Sequence, residues 1–365
     1  MALPAISTYS PPGPYSGYIP GYDPSANARL LVEYARNPKK FQLNQYITIQ
    51  PVTKAKGLYP KFLPSDQIRL PFADGSDKLW SDGTPSGATT NFPQGQRFTN
   101  LSYEAMRYKE EGHIGWITRD QSDFDWIKIE QNRLASIMMT LRTVIALTAA
   151  VLSTNYPTNH VSTASAFSGG GFWSSGTINS PYIKVALDNI KDRILLDSNA
   201  LVEATDLRLV IAPTLASTMS RAQEIRAYLS NQSNALAVLQ GSDPKAGTDW
   251  SLPNPLYGFV PIIERSPKVT TKPSDLAGDG TDGTAVYCMD TNTALVVARP
   301  GGLVSESGGM SYSTVHLVEL KGNAFRVFVQ DLGELHKLVY IRVEDFFTVI
   351  VPAPETGFVV TNCVS

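Results

Sequence analysis

The sequence has 365 residues, of which 18% are charged, 42% hydrophobic and 10% aromatic. Soluble domains usually carry about 25% charged residues, so a polar but weakly charged surface is expected. The net charge of −2 argues against a chain-wide basic coat that binds nucleic acid through phosphates, and the aromatic and branched apolar content excludes a disordered acidic chain. At about 150 residues per domain, the length predicts two or three structural units.

The first 22 residues carry no charge and interleave prolines with tyrosines. Proline fixes φ and removes an amide donor, so this stretch is predicted to be an extended arm rather than a helix or a central strand. Its tyrosine rings favour an arm that lies on another surface. A basic start and an apolar core, which mark a secretory leader, are missing, so none is expected.

Residues 57 to 112 form the next unit, which is unlike a compact domain. Two extended segments, 61–72 and 98–117, flank a polar tip over residues 74–95 that is rich in Gly, Ser, Asp and Thr. Long loops of this kind are uncommon inside compact domains and usually have a function. The pattern predicts a projecting β-hairpin.

A long helix is predicted over residues 122–153, with Ser122 and Asp123 as capping residues and Asp125 in the first turn. The predicted apolar stripe consists of Ile127, Leu134, Ile137, Met138, Leu141, Val144, Ile145 and Leu152. The stretch 134–152 approaches the length of a membrane span, but Arg142 lies at its middle and its polar residues share one side. An amphipathic helix of a protein without a membrane segment is therefore expected.

The rest of the chain mixes helices and strands, which predicts the α+β class. After a Gly/Ser-rich linker at 162–176, a helix is predicted to begin at Ser180-Pro181, and a second helix is predicted over 214–229. The predicted strands are Leu207–Ile211, Phe259–Ile263, Ala285–Met289, Ala294–Ala298, Val315–Leu320, Ala324–Gln330, Leu338–Val343 and Phe346–Val351.

No set of residues predicts an enzyme. The histidines at 113, 160, 316 and 336 lack metal-site spacing, and the turn-like segments 169–176 and 279–283 lack the phosphate-loop and calcium-loop patterns. The acidic pairs Glu110/Glu111 and Glu344/Asp345 are adjacent, so their side chains diverge. Cys288 and Cys363 are expected to be reduced thiols. We therefore expect no catalytic residue, no cofactor-binding residue and no metal ligand.

Charge is unevenly distributed along the chain. Between Arg29 and Arg69, eight basic residues stand against Glu33 and Asp66, a local net charge of +6. Residues 271–310 hold two basic and five acidic residues, a net charge of −3. Ordinary solvated patches explain such runs. The alternative is that the basic segment lies on an acidic surface of a neighbouring subunit or faces packed nucleic acid.

The order of these elements resembles that of the major capsid protein of tailed bacteriophages, which has the Hong-Kong-97-type fold. The local similarity is best at Leu207–Pro213 with the helix after it, at Tyr257–Ile263, and at Leu338–Arg342 through Phe346–Val351. The first two segments are similar to strands of the central sheet of the family's axial domain. The third is similar to the closing strands of its peripheral domain.

The resemblance implies a division of the chain. Residues 1–56 would be the N-terminal arm, 57–112 the extended loop, 113–180 and 318–365 the peripheral domain with the spine helix 122–153, and 181–317 the axial domain. The chain would self-assemble through hexamers and pentamers into the icosahedral head of a double-stranded DNA phage. The expected partners are other copies of the chain, scaffolding, cement and portal proteins, and packaged DNA in non-specific contact. The location would be the virion, after assembly in the host cytoplasm.

Three alternatives remain open on the sequence. An encapsulin-type nanocompartment shell shares the fold and differs in its content, protein cargo instead of DNA. An enzyme with a dispersed active site would need a cleft with perturbed titratable groups. A phage or surface adhesin could use Trp80 and Phe92 in the polar tip, although a long spine helix is not expected in a β-rich binder. The low charge fraction agrees best with a shell, because interface cores are depleted of charge and enriched in aromatics.

Overall fold

The computed structural model describes residues 41–62, 98–120, 125–167, 169–199, 201–230, 252–270, 284–299, 312–333 and 336–365. The predicted arm at 1–22, the hairpin tip with Trp80 and Phe92, and the segment 279–283 lie outside these residues. Within them the helices are α1 (Leu43–Tyr46), α2 (Trp116–Asp120), α3 (Trp126–Val151), α4 (Ala164–Phe167), α5 (Tyr182–Asp197), α6 (Pro213–Arg221) and α7 (Gln223–Ser230). Single 3₁₀ turns lie at Ser153–Asn155, Thr158–His160, Trp173–Ser175, Ala204–Asp206 and Pro354–Thr356.

The strands fall into two five-stranded sheets and two separate ribbons. In chain order they are β1 (Thr48–Val52), β2 (Lys56–Phe62), β3 (Phe98–Glu104), β4 (Met106–Gly115), β5 (Val161–Thr163), β6 (Leu207–Ile211), β7 (Val260–Ile263), β8 (Pro267–Val269), β9 (Ala285–Tyr287), β10 (Ala294–Ala298), β11 (His316–Leu320), β12 (Arg326–Asp331), β13 (Leu338–Ile350) and β14 (Phe358–Thr361).

The first sheet is built around β13, which is long enough to pair with three strands. It runs antiparallel to β4 from Leu338↔Gly115 to Phe347↔Met106, and antiparallel to β12 and β11 along successive parts of its length. Strand β1 extends the sheet in parallel with β11. The sequence predicted two strands here. They are one because the charges that interrupt the apolar pattern, Glu344 and Asp345, both find cationic partners.

The second sheet has the order β5-β14-β10-β6-β7. Strands β6 and β10 were predicted at their observed bounds, and all but Arg208 of their residues are buried. Strand β14 pairs with β5 and β10, so this last strand belongs to the second sheet and not with the closing strands of the first. The implied division into a peripheral unit (113–180 and 318–365) and an axial unit (181–317) stays a prediction.

The helix α3 lies along both sheets and connects their cores. Its N-terminal half packs with β4, β12 and β13 through Ile127, Leu134 and Met138. Its C-terminal half packs through Ala146, Leu147 and Ala150 on one face of the second sheet. At 1.5 Å per residue, its 26 residues span about 39 Å.

The predicted face of α3 was partly wrong. The fully buried positions are Ile127, Gln131, Leu134, Ala135, Met138, Met139, Arg142, Thr143, Ala146, Leu147 and Ala150. Ile137, Leu141, Val144 and Ile145 are only half-buried. The helix turns Arg142 and Thr143 inward because the strands beside it supply partners for the guanidinium. Asp125 is the capping residue, accepting from Lys128 N at 3.2 Å.

The other face of the second sheet is covered by α5, α6 and α7, which form the largest apolar core. The predicted single helix over 214–229 is broken at Ala222, whose backbone is extended (φ −58°, ψ 136°). The break places Glu224 beside the start of α5. The predicted linker at 162–176 contains β5, α4 and a fully buried Trp173, which ties it to this core.

Candidate functional site

We first located the His, Cys, Asp and Glu side chains of the described part of the chain, because these residue types most often form metal and catalytic sites. No group of three or more His, Cys, Asp and Glu side chains is arranged there to hold a metal ion. His113 and His336 are exposed. Cys288 and Cys363 are free and buried, and burial raises the pKa of each thiol to about 12, so both are protonated near neutral pH.

Arg142 forms a buried ion pair between the helix α3 and the first sheet. Its Nε and Nη2 donate to the two carboxylate oxygens of Asp345 at 3.0 and 3.2 Å, and Nη2 also donates to Glu319 at 3.0 Å. The guanidinium stacks over the rings of Phe325 and Phe347, with centroid distances of 4.7 and 5.2 Å. A bidentate pair in this setting fixes the position of the helix relative to the strands.

Glu344, the neighbour of Asp345, faces the opposite side of β13. It is 3% exposed and pairs with both Arg107 of β4 and Arg342 of β13. The two adjacent carboxylates therefore point apart, as expected for neighbours on a strand, and they pair with different arginines. This arrangement is structural rather than an acid/base pair.

The predicted hairpin leaves the first sheet at β4. Strands β2 and β3 pair antiparallel from Lys56↔Glu104 to Phe62↔Phe98, and the chain passes from β3 into β4 at the buried Ala105. The ribbon is fixed at this end by Tyr59, whose hydroxyl lies 2.9 Å from His316 Nδ1. Leu58, on its other face, is 66% exposed.

This ribbon is incomplete as an isolated structure. Neither β2 nor β3 pairs with a further strand among the described residues. Two-stranded ribbons are marginally stable in water and need packing against another surface. The exposed face with Leu58 is therefore suited to contact with a second protein surface.

His160 connects three segments of the fold. Its Nδ1 lies 2.7 Å from the carbonyl oxygen of Gly357, and its Nε2 lies 2.8 Å from Asp197 Oδ2. Asp197 also accepts from Asn159 and pairs with Arg193. The ring is fully buried, so its role is to hold the end of α5 against the segment before β14.

Glu224 caps the N-terminus of α5 from a different helix. Its carboxylate accepts from the backbone N–H of Ile183 at 3.0 Å and of Lys184 at 2.7 Å. The sequence predicted that this helix begins at Ser180-Pro181, but no side chain of that local segment caps it. Burial raises the pKa of the Glu224 carboxyl, opposed by these two backbone donors.

Two further surfaces expose apolar side chains. On α5, Val185 and Leu196 are 37% and 69% exposed and lie on one stripe with Asn189 and Asp192. The ribbon of β8 and β9 places four exposed residues on one face: Pro267, Val269, Ala285 and Tyr287. Such surfaces on a folded chain mark interaction sites.

Sequence reasoning missed the partner of Arg142, although a single charge in the middle of a 19-residue apolar stretch signals a buried pair. The sequence also did not predict the exposed stripe of α5, because apolar residues at helical spacing indicate the face of a helix that packs on the core. The two predicted charge patches lie mostly outside the described residues. Lys54, Lys56 and Asp290 are their exposed members within them.

One helix of the described residues, α3, is long and apolar enough to cross a membrane by length and composition. Half of its most apolar window is buried inside the protein, and the core helices of other folds pass the same criterion. Its packing on both sheets makes it a core helix here.

No protein-family model matches the sequence, and no curated protein matches it. The fold is similar to that of a phage-related protein from Bordetella bronchiseptica RB50, with 13% identity, a TM-score of 0.58, and coverage of 92% of this chain and 96% of that one. The capsid of the cyanophage P-SCSP1u matches with 12% identity, a TM-score of 0.48 and 86% coverage of each chain. The holo-SrpI encapsulin complex from Synechococcus elongatus PCC 7942 matches with 10% identity, a TM-score of 0.49, and coverage of 88% and 86%.

The first of these similarities carries the comparison, because it extends over nearly the whole length of both chains with a TM-score above 0.5. The described part of the chain contains a hairpin, a spine helix, and two sheets in α+β order. The chain has the Hong-Kong-97-type phage capsid fold.

Proposed function

We propose that the chain is the major capsid protein of a tailed double-stranded DNA bacteriophage. It self-assembles through hexamers and pentamers into the icosahedral head that encloses the genome. The observation that carries the proposal is the fold similarity to a phage-related protein over 92% of this chain and 96% of that one.

The β2–β3 ribbon gives this proposal a physical basis. It extends from the edge of the first sheet, is fixed at one end by the contact of Tyr59 with His316, and exposes Leu58. A two-stranded ribbon that is packed on its own subunit only at one end gains stability by lying on a neighbouring subunit. The exposed stripe of α5 and the β8–β9 ribbon supply further surfaces for contact between copies.

The proposal also includes how the chain acts, where it is located and which partners it has. The chain acts without a catalytic step, a cofactor or a metal. It is located in the virion after assembly in the host cytoplasm, and its partners include scaffolding, cement and portal proteins. Packaged DNA contacts the inner wall non-specifically.

The experiment is electron microscopy of the purified full-length chain after size exclusion, in negative stain and over a range of salt concentrations. Shells tens of nanometres across, or rings of five and six subunits, are expected. A chain that stays monomeric under every condition would overturn the proposal. Nuclease-protected DNA in shells produced during infection supports a phage head, whereas protein cargo would instead indicate a nanocompartment.

A matched pair of variants tests the role of the hairpin. Leu58→Asp places a carboxylate on the exposed face of the ribbon and is expected to abolish shells while the subunit stays folded. Lys321→Asp places the same group on an exposed turn after β11 and is expected to leave assembly intact. Normal shells from Leu58→Asp would show that this face is free in the particle.

A further inference from the structure

A pair of arginines lies at one end of the second sheet, where the apolar core stops. Arg208 is in β6, opposite Val297 of β10, and Arg299 follows the last residue of β10. The backbone N–H of Arg299 continues the ladder by donating to Asp206 O at 3.0 Å. Arg208 and Arg299 are therefore diagonal neighbours across two antiparallel strands, within reach of each other.

Strand alternation fixes the face of the sheet on which both side chains lie. The core shared with α3 contains Val210 of β6 and Ala212 directly after it. It also contains Leu295 and Val297 of β10. Arg208 is two residues before Val210, and Arg299 is two residues after Val297. Because side chains alternate between the faces of a strand, both arginines lie on that same face, beyond the edge of the core. The helix α5 packs on the opposite face of this sheet.

The two guanidinium groups differ in their partners. Arg208 donates from Nη1 to the carbonyl oxygen of Thr205 at 2.7 Å. Arg299 is half-buried, yet its guanidinium makes no hydrogen bond and no ion pair with any residue of the described ranges. Burial lowers the pKa of Arg299, and the nearby charge of Arg208 lowers it further. A partly desolvated cation beside a second cation is an incomplete site that favours an anion.

The opposite side of the same unit carries a complementary surface. The exposed stripe of α5 consists of Val185, Asn189, Asp192 and Leu196. Asp192 forms no ion pair with any residue that the structure describes, in contrast to Asp188, which pairs with Lys191. A single unpaired carboxylate between two exposed apolar side chains has the composition of an interface centre.

Resting on the proposed function, we propose that the α5 stripe of one copy docks against the Arg208/Arg299 end of the second sheet of a neighbouring copy, with Asp192 pairing with Arg299. The two surfaces are different and lie on opposite faces of one sheet, so the contact is head-to-tail. Head-to-tail contacts close into rings when the rotation between copies permits. Rings of five and six subunits require a contact of this type.

The charges around the arginine pair favour a protein carboxylate over a nucleic-acid phosphate. Glu203 and Asp206 lie in the segment just before β6, so residues 203–208 bring two acidic side chains and no lysine to this end of the sheet. Surfaces that bind phosphate backbones cluster Lys and Arg without acidic neighbours. Arginine, with its planar fork of donors, is the cation enriched at protein interfaces.

A charge-swap cycle on the full chain tests the contact. Arg299→Glu and Asp192→Arg are each expected to raise the subunit concentration needed for half-maximal assembly by at least about tenfold, because each places like charges in contact. The double variant Asp192→Arg/Arg299→Glu restores the pair and is expected to assemble within about threefold of the wild type. Lys321→Glu, an equal change of charge on an exposed turn of the first sheet, is expected to assemble like the wild type.

The outcomes separate this contact from the proposed function. A wild-type chain that never assembles overturns both. A wild-type chain that assembles, with single variants that assemble equally well or a double variant no better than the singles, overturns the contact alone. Arg299→Glu shells that form normally but bind a short duplex DNA more weakly would assign the arginine pair to phosphate and also overturn it. Asp192 is exposed, so Asp192→Arg keeps the test valid if Arg299→Glu fails to fold.

Discussion

Arg142 in the helix α3 and Arg299 at the end of the second sheet carry the same group in opposite surroundings. Arg142 is 4% exposed and has two carboxylates and two aromatic rings around it. Arg299 is half-buried and has another arginine as its charged neighbour. The subunit supplies every partner that Arg142 needs and, in its described part, none for Arg299.

The difference separates residues that hold the subunit together from residues that are suited to act between subunits. Breaking one partner of a buried pair leaves an uncompensated charge inside the protein and costs folding stability. Removing a guanidinium that has no partner among the described residues costs little stability. Substitution of Arg142 should therefore lower the free energy of unfolding, whereas substitution of Arg299 should mainly weaken assembly.

The largest expected effect is on folding, at Arg142. Arg142→Met leaves Asp345 buried without a cation, so we expect a loss of about 3–5 kcal/mol in the free energy of unfolding. Asp345 is 0% exposed, so water cannot compensate. Urea denaturation of unassembled subunits, followed by tryptophan fluorescence, measures it.

The double variant Arg142→Met/Asp345→Asn serves as the control for this experiment. It removes the uncompensated charge and is expected to be more stable than Arg142→Met alone. A loss below about 1 kcal/mol in Arg142→Met would mean that the pair does not hold α3 on the first sheet.

An intermediate effect is expected at Glu224, a buried carboxylate that is satisfied by backbone donors rather than by an arginine. Its pKa is raised in the folded subunit, so the folded state binds the proton more tightly than the unfolded state. The protonated Glu224 therefore adds to the free energy of unfolding at a pH below the pKa of the carboxyl in the unfolded chain. This contribution is lost as the pH rises through the pKa of the carboxyl in the folded subunit. The wild type should therefore lose stability relative to Glu224→Gln as the pH rises above the ordinary pKa of a glutamate, about 4.

Thermal unfolding of both proteins across this pH range gives the difference directly. Buffer effects common to both proteins cancel in it. A difference in melting temperature that is constant with pH, or that shifts in favour of the wild type as the pH rises, would contradict the assignment.

The smallest expected effect on folding is at Arg299. Arg299→Ala should change the free energy of unfolding by no more than about 0.5 kcal/mol, because its guanidinium makes no bond in the described part of the subunit. The same urea titration as for Arg142 makes the two values comparable. A loss of several kcal/mol would place Arg299 with Arg142 as a residue of the fold and remove the contrast between them.

The sequence predicted best what local composition determines. Strands β6 and β10 were found at their bounds because each is an almost uninterrupted apolar run between turn residues. The α+β class and the Hong-Kong-97-type fold are confirmed. The antiparallel pairing of β2 with β3 confirms a hairpin, but its bounds differ from the predicted segments 61–72 and 98–117. The paired strands are Lys56–Phe62 and Phe98–Glu104, and the second predicted segment is divided at Ala105 because β4 pairs with β13 of the first sheet.

Features that depend on distant partners were predicted poorly. The inward face of α3 is set by Asp345, which is 203 residues from Arg142. The break at Ala222 is coupled to the capping of α5 by Glu224, 41 residues from Ile183. No periodicity within a helix encodes such contacts, because they are made by side chains from other elements. That Arg299 has no partner among the described residues can be seen only from its three-dimensional surroundings.

The position of β14 in the second sheet has a consequence for the synthesis of the protein. Its neighbours β5 and β10 end at Thr163 and Ala298, but β14 itself extends to Thr361. Until this strand has left the ribosome, neither β5 nor the facing edge of β10 can have the partner that it has in the folded subunit. An unpaired strand edge is a template for pairing with other chains. The sheet that carries the Arg208/Arg299 end is thus completed only after translation has passed residue 361.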